Sequence, residues 1–367
     1  MNEDYILMKI LDRYIIKTLL FYTLGVMVVW VGVYALFNFI NEINLIGQQN
    51  YTTLSAIIYV AADLPAVIYS HSSVIILLGC LLGMGYLATT SQLVVIRGCG
   101  VSIMQIAGKA VNAALIFIFT VILLGEFVAP FTTQYAESFR TKALGQNVST
   151  VSQQGFWLKD GNTIINVKEN FDGRIFGDVT LIKLNKVNQL DSIIHSDKAL
   201  FDNDNLNLEK AKHYQFSQND KFTKIQSKDI QKYSVKVSFD QTLVKALEKE
   251  PNELSSWELY KQISFLADNN LASSAFEIEL YKRLVKPVTL VAMLLLSMLF
   301  IFGSLRDATL GKKIFLGMII ALFFELSSRI GGAISLRFDY DPLFSASAPT
   351  LVVLVIAFFL LKKKSAL

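Results

Sequence analysis

The chain has 367 residues, 53% of them hydrophobic and 17% charged, with a mean hydropathy of +0.45, a formal net charge of +4 and a pI near 8.8. That balance is too apolar for an ordinary soluble domain and is typical of a polytopic membrane protein. The surplus Lys and Arg gather at the ends of apolar segments, so they read as topology signals rather than as a nucleic-acid surface.

Lys9, Arg13 and Lys17 precede an uncharged stretch at 18–41, longer than a signal-peptide core. This predicts a retained first span over 15–40 with the N-terminus in the cytoplasm. After an outer connection at 41–51, residues 64–96 carry no charge, which is more than one crossing needs. Pro65 is expected to bend the chain between an interfacial helix at 53–63 and a second span at 67–87. Gly79, Gly83 and Gly85 have small-x-x-x-small spacing, suited either to packing within the chain or to a subunit interface.

A polar break, Ala88-Thr89-Thr90-Ser91-Gln92-Leu93-Val94-Val95-Ile96-Arg97-Gly98-Cys99-Gly100, then separates two spans. Arg97 places it on the cytoplasmic face. It is too short for a domain and held at both ends, so it is a place where a soluble motor can push. The third span is predicted at 103–128, with Lys109 snorkelling toward the cytoplasm and Pro130 ending the helix outside. Cys80 and Cys99 have no C-x-x-C partner, so neither a disulfide framework nor a zinc site follows.

Residues 131–270 are different in kind: polar, with short alternating runs such as Thr163-Ile164-Ile165-Asn166-Val167 and Tyr233-Ser234-Val235-Lys236-Val237. Turn signals at Asp160-Gly161, Asp172-Gly173 and Asp202-Asn203-Asp204 give the spacing of an antiparallel sandwich or roll, mainly at 148–240. Three preceding spans put it outside the cytoplasm. Residues 251–270 read as a helical connector with Ser255 or Ser256 as N-cap and Trp257, Tyr260, Ile263 and Leu266 on one face. Three further spans follow at 287–305, 314–334 and 343–361, stopped by Lys362-Lys363-Lys364 inside. The basic cluster Lys282, Arg283 and Lys286 falls on the outer side, against the positive-inside rule, which weakens beside long translocated domains.

The chain has no GxxxxGK[ST], H-E-x-x-H or G-x-S-x-G, so it reads as a non-enzyme that leaves any ATP to a partner. Glu325 and Arg329 share a helix face in the fifth span, either as a functional pair at bilayer depth or as a simple interfacial ion pair. Glu126, Arg140 and Lys142, at and beyond the outer end of the third span, either face a cavity for an anionic amphiphile or are solvated.

Several motifs together resemble a known family: Leu11-Asp12-Arg13-Tyr14, Leu93-Val94-Val95 leading to Gly98-Cys99-Gly100, Gly125-Glu126-Phe127-Val128-Ala129-Pro130, Trp157-Leu158-Lys159-Asp160-Gly161 and Phe300-Ile301-Phe302-Gly303-Ser304-Leu305-Arg306. In this order, over essentially the whole chain, they look like the LptF/LptG permeases, and the Trp-Leu-Lys-Asp-Gly segment is closer to the LptG branch. The resemblance implies an α-helical polytopic inner-membrane protein of six transmembrane helices, both termini cytoplasmic, with an inserted periplasmic all-β jellyroll-like domain. It implies three parts: 1–130 with spans one to three, 131–270 with the β domain and connector, and 271–367 with spans four to six.

It further implies a permease subunit of an ABC transporter that extracts lipopolysaccharide. The implied partners are an LptF-like sister permease, two LptB-like ATPase subunits and LptC/LptA-like jellyroll proteins. No cofactor is held by this chain itself, and ATP and Mg are used by the ATPase. The coupling helix of the family maps to about 90–101, with Ser91, Gln92, Leu93, Arg97, Gly98 and Gly100 as contacts. Relatives usually have Glu where Gln92 stands, which replaces a charge by a neutral hydrogen-bonding group. Some also have lysines near the outer end of the first span, where this chain has Asn38, Asn41 and Asn44. A cavity lined by the first and fifth spans is expected to offer Phe21, Leu24, Val28, Phe37, Leu316, Ile320 and Phe324 to lipid chains, with polar contacts from Asn38, Glu126, Arg140 and Lys142. The alternative is a membrane-anchored adaptor whose spans only hold the β domain for envelope assembly.

Overall fold

The computed structural model describes residues 2–145, 156–170, 175–185, 189–202, 205–219, 222–237, 251–268, 272–302 and 309–365. The positions Gln154-Gly155, Asp172-Gly173 and Asn203-Asp204, the loop at Arg306 and both ends of the predicted β segment lie outside them. The helices are α1 (Asn2–Ile43), α2 (Thr53–Thr89), α3 (Gln92–Gly98), α4 (Ile103–Leu123), α5 (Ala129–Ala143), α6 (Ser256–Asp268), α7 (Ser274–Ile301), α8 (Leu310–Phe338) and α9 (Pro342–Ser365). A π-helical turn, Leu124–Val128, joins α4 to α5. Among the described residues, six helical stretches are long and apolar enough to cross a membrane, in the six expected places. The chain divides into a helical unit (Met1–Asn44, Val60–Gln134, Ser274–Leu367) and a second unit (Leu45–Tyr59, Tyr135–Ser273).

The core of the helical unit is drawn mainly from α2, α4 and α7. Of the most apolar window of each span, 72% is buried in α2 and 56% in α7, against 11% in each of α1 and α8. On α4 the buried residues include Ile106, Ala107, Ala110, Ala113, Ala114 and Phe117, a stripe at helical spacing whose alanines let neighbouring backbones approach. Ser102 caps this helix in a reciprocal box with Gln105. Asp341 caps α9 by accepting from the Leu343 N–H at 2.8 Å, and Pro342 takes the first helical position, where a missing N–H is harmless.

Gly79 and Gly83 face α1. A Cβ at Gly79 would come within 2.6 Å of the Thr23 Cα, while at Gly83 the nearest atom is the Leu19 Cδ2 at 3.1 Å. Their spacing therefore serves packing within the chain. Gly79→Ala is expected to destabilise the full chain by about 1–3 kcal/mol, as overpacking does, because α1 itself must move. Gly83→Ala is expected to cost less, since a Leu side chain can turn away. Thermal unfolding in detergent checks the order, and equal losses would refute it.

Three boundaries differ from expectation. The second helix runs unbroken through Pro65, and the fourth span begins at Ser274, so Lys282, Arg283 and Lys286 lie within a helix rather than before it. The third does not end at Pro130: the helix continues to Ala143, and the boundary drawn at 131 falls inside it. A proline ring ordinarily clashes with the carbonyl four residues back, here that of Glu126. The π turn sits at that place and widens the ladder. Gly125 lies in the same turn against the Tyr69 ring, where a Cβ would meet ring carbons at 2.1 Å.

The second unit contains one antiparallel sheet in sequential order: β1 (Phe156–Asp160), β2 (Thr163–Asn170), β3 (Ile175–Leu184), β4 (Leu190–Asp202), β5 (Asn205–Asn219) and β6 (Phe222–Lys236). Asp160 pairs with Thr163 across a two-residue turn in which Gly161 has φ +57°. The pairing lapses along one line crossing the sheet at Lys168, Asp178, Asp197 and Lys210. Asp178 and Lys210 there have φ of 48° and 53°.

The inward set changes parity across this line: Val179 to Phe176 on β3, Ser196 to Ala199 on β4, Ala211 to Leu208 on β5. The sheet is thus creased, and residues from both sides of the crease join one buried cluster that includes Ile165, Val179, Phe176 and Leu208. A Lys168–Asp178 ion pair at 2.7 Å pins it. The buried Ser196 hydroxyl donates to the Glu209 and Lys198 carbonyls in place of lost ladder bonds.

The connector α6 is capped by Ser255, whose hydroxyl accepts from the Glu258 N–H while the Glu258 carboxylate accepts from the Ser255 N–H. Its buried face carries Leu259, Gln262 and Leu266, and Phe265 packs on the sheet's core. Trp257 and Tyr260 are exposed and stacked on each other, with Lys261 over the Trp257 ring. The face predicted through Trp257 and Tyr260 is therefore corrected by one step of the helix, since the buried stripe must meet the sheet.

Candidate coupling element and apolar groove

Helix α2 ends where Thr89 and Thr90 turn their hydroxyls back onto the Gly85 and Tyr86 carbonyls. Ser91 follows with φ 61°, and its carbonyl accepts the first bonds of α3, from Val94 and Val95. Leu93 and Ile96, three apart, are buried in the helical core, which leaves Val94, Val95 and Arg97 on the open face. Leu93 is thus an anchor. The outward apolar pair Val94 and Val95 belongs to the Leu93-Val94-Val95 motif but is not among the contacts expected from the sequence, although spacing of three from Leu93 to Ile96 turns it outward. Gly100, at φ +85°, ends the element in a conformation that favours glycine, while Gly98 has open space around it.

Gln92 accepts a hydrogen bond from the Tyr14 hydroxyl at 2.9 Å. Two residues earlier on α1, Asp12 pairs with Lys109 of α4, so Lys109 is bound within the chain rather than extended to a membrane surface. The motif Leu11-Asp12-Arg13-Tyr14 therefore ties α1 to α3 within the polar break and to α4 beyond it.

Of the residues expected to line a cavity, Phe21, Leu24, Val28 and Phe37 lie exposed on α1, whereas Leu316, Ile320 and Phe324 of α8 are half-buried against the helical core. Ile320 and Phe324 line a groove of about 860 Å³, but its other walls are Leu296 of α7 and Phe344, Pro349 and Val352 of α9. Among the described residues, none of α1 lines it. The Ser335 hydroxyl donates to the Tyr340 carbonyl at 2.7 Å and that of Ser345 to the Gly331 carbonyl, so these wall hydroxyls are satisfied internally. A groove of this kind accepts hydrocarbon.

Asn38 donates weakly to the Asp63 carboxylate, at 3.5 Å. Glu126 is held by Arg283, with Nη1 to Oε1 at 3.6 Å, and Arg283 also reaches Glu279 at 3.7 Å and lies over the Tyr69 ring. Lys286 donates to the Ser70 carbonyl and covers the same ring. Two of the three basic residues that break the positive-inside pattern are thus engaged by neighbouring helices of their own chain. In the second unit Arg140 lies over the Tyr59 ring beside Glu137, and Lys142 is exposed. Glu325 and Arg329 pair on an exposed face of α8 at 3.1 Å.

Residues 13–363 match the family of the lipopolysaccharide export system permease LptF/LptG. The chain belongs to this family. Among its relatives, the lipopolysaccharide export system permease protein LptG of Haemophilus influenzae is 28% identical over 356 residues, covering 96% of this chain and 98% of that protein. LptG of Escherichia coli K12 is 26% identical over 363 residues, covering 97% and 99%. As a member of the LptF/LptG permeases the chain is a multi-pass membrane protein of lipopolysaccharide export, with a β insert between its third and fourth candidate spans.

Proposed function

We propose that this chain is the permease subunit of an ABC transporter that extracts lipopolysaccharide from the outer leaflet of the bacterial inner membrane. A separate cytoplasmic ATPase supplies the drive, both termini lie on that side, and the β unit stands in the periplasm, where it hands lipid to a β-jellyroll bridge. The observation that carries this reading is α3: seven residues rooted in the helical core by Leu93 and Ile96, with Val94, Val95 and Arg97 left open to a partner. A push on so short an element cannot be absorbed by bending it and passes to the helices at its ends.

The uncovered apolar faces of α1 and α8 add support, since a sister permease set against them closes a cavity that one chain leaves open. Phe21, Leu24, Val28 and Phe37 then face Leu316, Ile320 and Phe324 across the subunits. The lipid's acyl chains occupy this space, and narrowing it drives the lipid outward. Arg140 and Lys142 are the cations for its phosphates, while Arg283 is committed to Glu126 and Glu279.

The test is to tag the full chain, extract it in mild detergent and identify what co-purifies by mass spectrometry. A second six-span permease, a P-loop ATPase and lipid A species are expected. Recovery of the chain alone, or with envelope β proteins only, overturns the transporter in favour of the adaptor.

A further inference from the structure

Lys313 sits near the start of α8 and is 2% exposed, one of the largest fully buried side chains among the described residues. Its Nζ donates to the Gly85 carbonyl at 3.3 Å. Gly85 belongs to the last turns of α2, at the negative end of that helix's dipole, where a basic group is favoured. The Thr89 hydroxyl that terminates α2 donates to the same oxygen.

The fit is tight on both sides. A Cβ at Gly85 would stand 3.1 Å from both Cδ and Nζ of Lys313. One turn further along α8, a Cβ at Gly317 would come within 2.6 Å of Leu78 of α2. Positions 313 and 317 share a helix face, so the first turns of α8 are seated on the end of α2. Immediately beyond that end comes α3, and two turns further along α8 come Ile320, Phe323 and Phe324, which wall the groove.

We propose that Lys313 is a positioning residue for transport, fastening α8 to the end of α2 so that a displacement of α3 reaches the groove wall instead of being lost in the turn at Thr90 and Ser91. A buried donor bound to a carbonyl in an apolar setting is costly to separate from it, which makes it a stiff joint. The proposal rests on the reading of α3 as the point where an ATPase acts.

The experiment uses the whole complex in proteoliposomes and measures ATP hydrolysis and lipid release to an acceptor in one preparation. Lys313→Met keeps the apolar stem and removes the donor. Gly85→Ala pushes on the same joint from the opposite side without touching the amine. Each is expected to lower lipid released per ATP about tenfold, within the usual range of coupling between sites, with ATP turnover and melting temperature near those of the parent. The double variant is expected to be no worse than either single one, because both act on the same joint between Gly85 and Lys313. Lys313→Arg, which restores a donor, is expected to recover part of the yield.

If either single variant assembles and keeps the parent's yield per ATP, the role of Lys313 is overturned. Should Lys313→Met not assemble, Gly85→Ala decides alone, and should neither assemble, Lys313 is a folding residue and the proposal is wrong. A parent complex whose ATP turnover is not linked to lipid release instead overturns the reading of α3.

Discussion

Arg283→Met is expected to destabilise the helical unit by about 3–5 kcal/mol, the usual cost of stripping a buried ion pair of one partner. The Arg283 side chain is 4% exposed and stands between Glu126 and Glu279, with its guanidinium 5.6 Å from the centre of the Tyr69 ring. Methionine fills much of the same volume, so little of the loss comes from a cavity. What remains is two partly buried carboxylates that have lost a shared cation. Glu126→Gln in the same background is expected to recover part of the loss, and the double-mutant cycle should give an interaction of about 0.5–3 kcal/mol. Unfolding of the full chain in detergent reads both, and an Arg283→Met variant as stable as the parent would show that the pair carries no weight.

This arrangement depends on the π turn. Within Leu124–Val128 an extra residue is accommodated in the helix, and the side chains beyond it are rotated relative to an unbroken α-helix. Gly125 lets the turn close on Tyr69, and Glu126 is delivered to Arg283. The Gly125-Glu126 pair of the family motif is accounted for by packing and charge compensation within the chain.

Phe176→Ala is expected to cost about 3–5 kcal/mol in the second unit, the range for truncating a fully buried aromatic. Phe176 is 0% exposed and meets Phe201 edge-on at 6.5 Å on one side of the crease. Its neighbours there, Ala199, Leu206 and Leu208, belong to β4 and β5, and the small Ala199 cannot grow into the space left behind. Hydrogen exchange on the full chain should show lost protection in β3, β4 and β5. Ile182→Ala, on the half-exposed outer face of β3, is expected to cost about 1 kcal/mol or less, in line with the smaller area it buries. Equal effects of the two substitutions would mean that the inward face has been assigned wrongly.

The spans were legible because a membrane helix announces itself by length and apolarity, and a bilayer sets both. Strand positions, the Gly161 turn and the Ser255 cap were equally local, each specified by residues within a few positions of one another. Charge was less informative. Arg283 and Lys286 looked anomalous on topology alone, because their partners Glu126 and Ser70 lie more than a hundred residues away.

The crease of the sheet has the same character. A switch of inward parity at Asp178 and Lys210 contradicts simple alternation, and it is intelligible only when the pairing of successive strands is seen to lapse along one line across the sheet. Pro130 within a continuous helix, Gly79 against Thr23, Gln92 on Tyr14 and Lys313 on Gly85 complete the set. Period and composition say which face of a segment is apolar, and that was enough to count the spans and find the β insert, while the resemblance to the family rested on its motifs. Which partner a face meets, and whether a buried charge is balanced, depends on how distant segments are brought together, and this is where α3 acquired its anchors and the groove its walls.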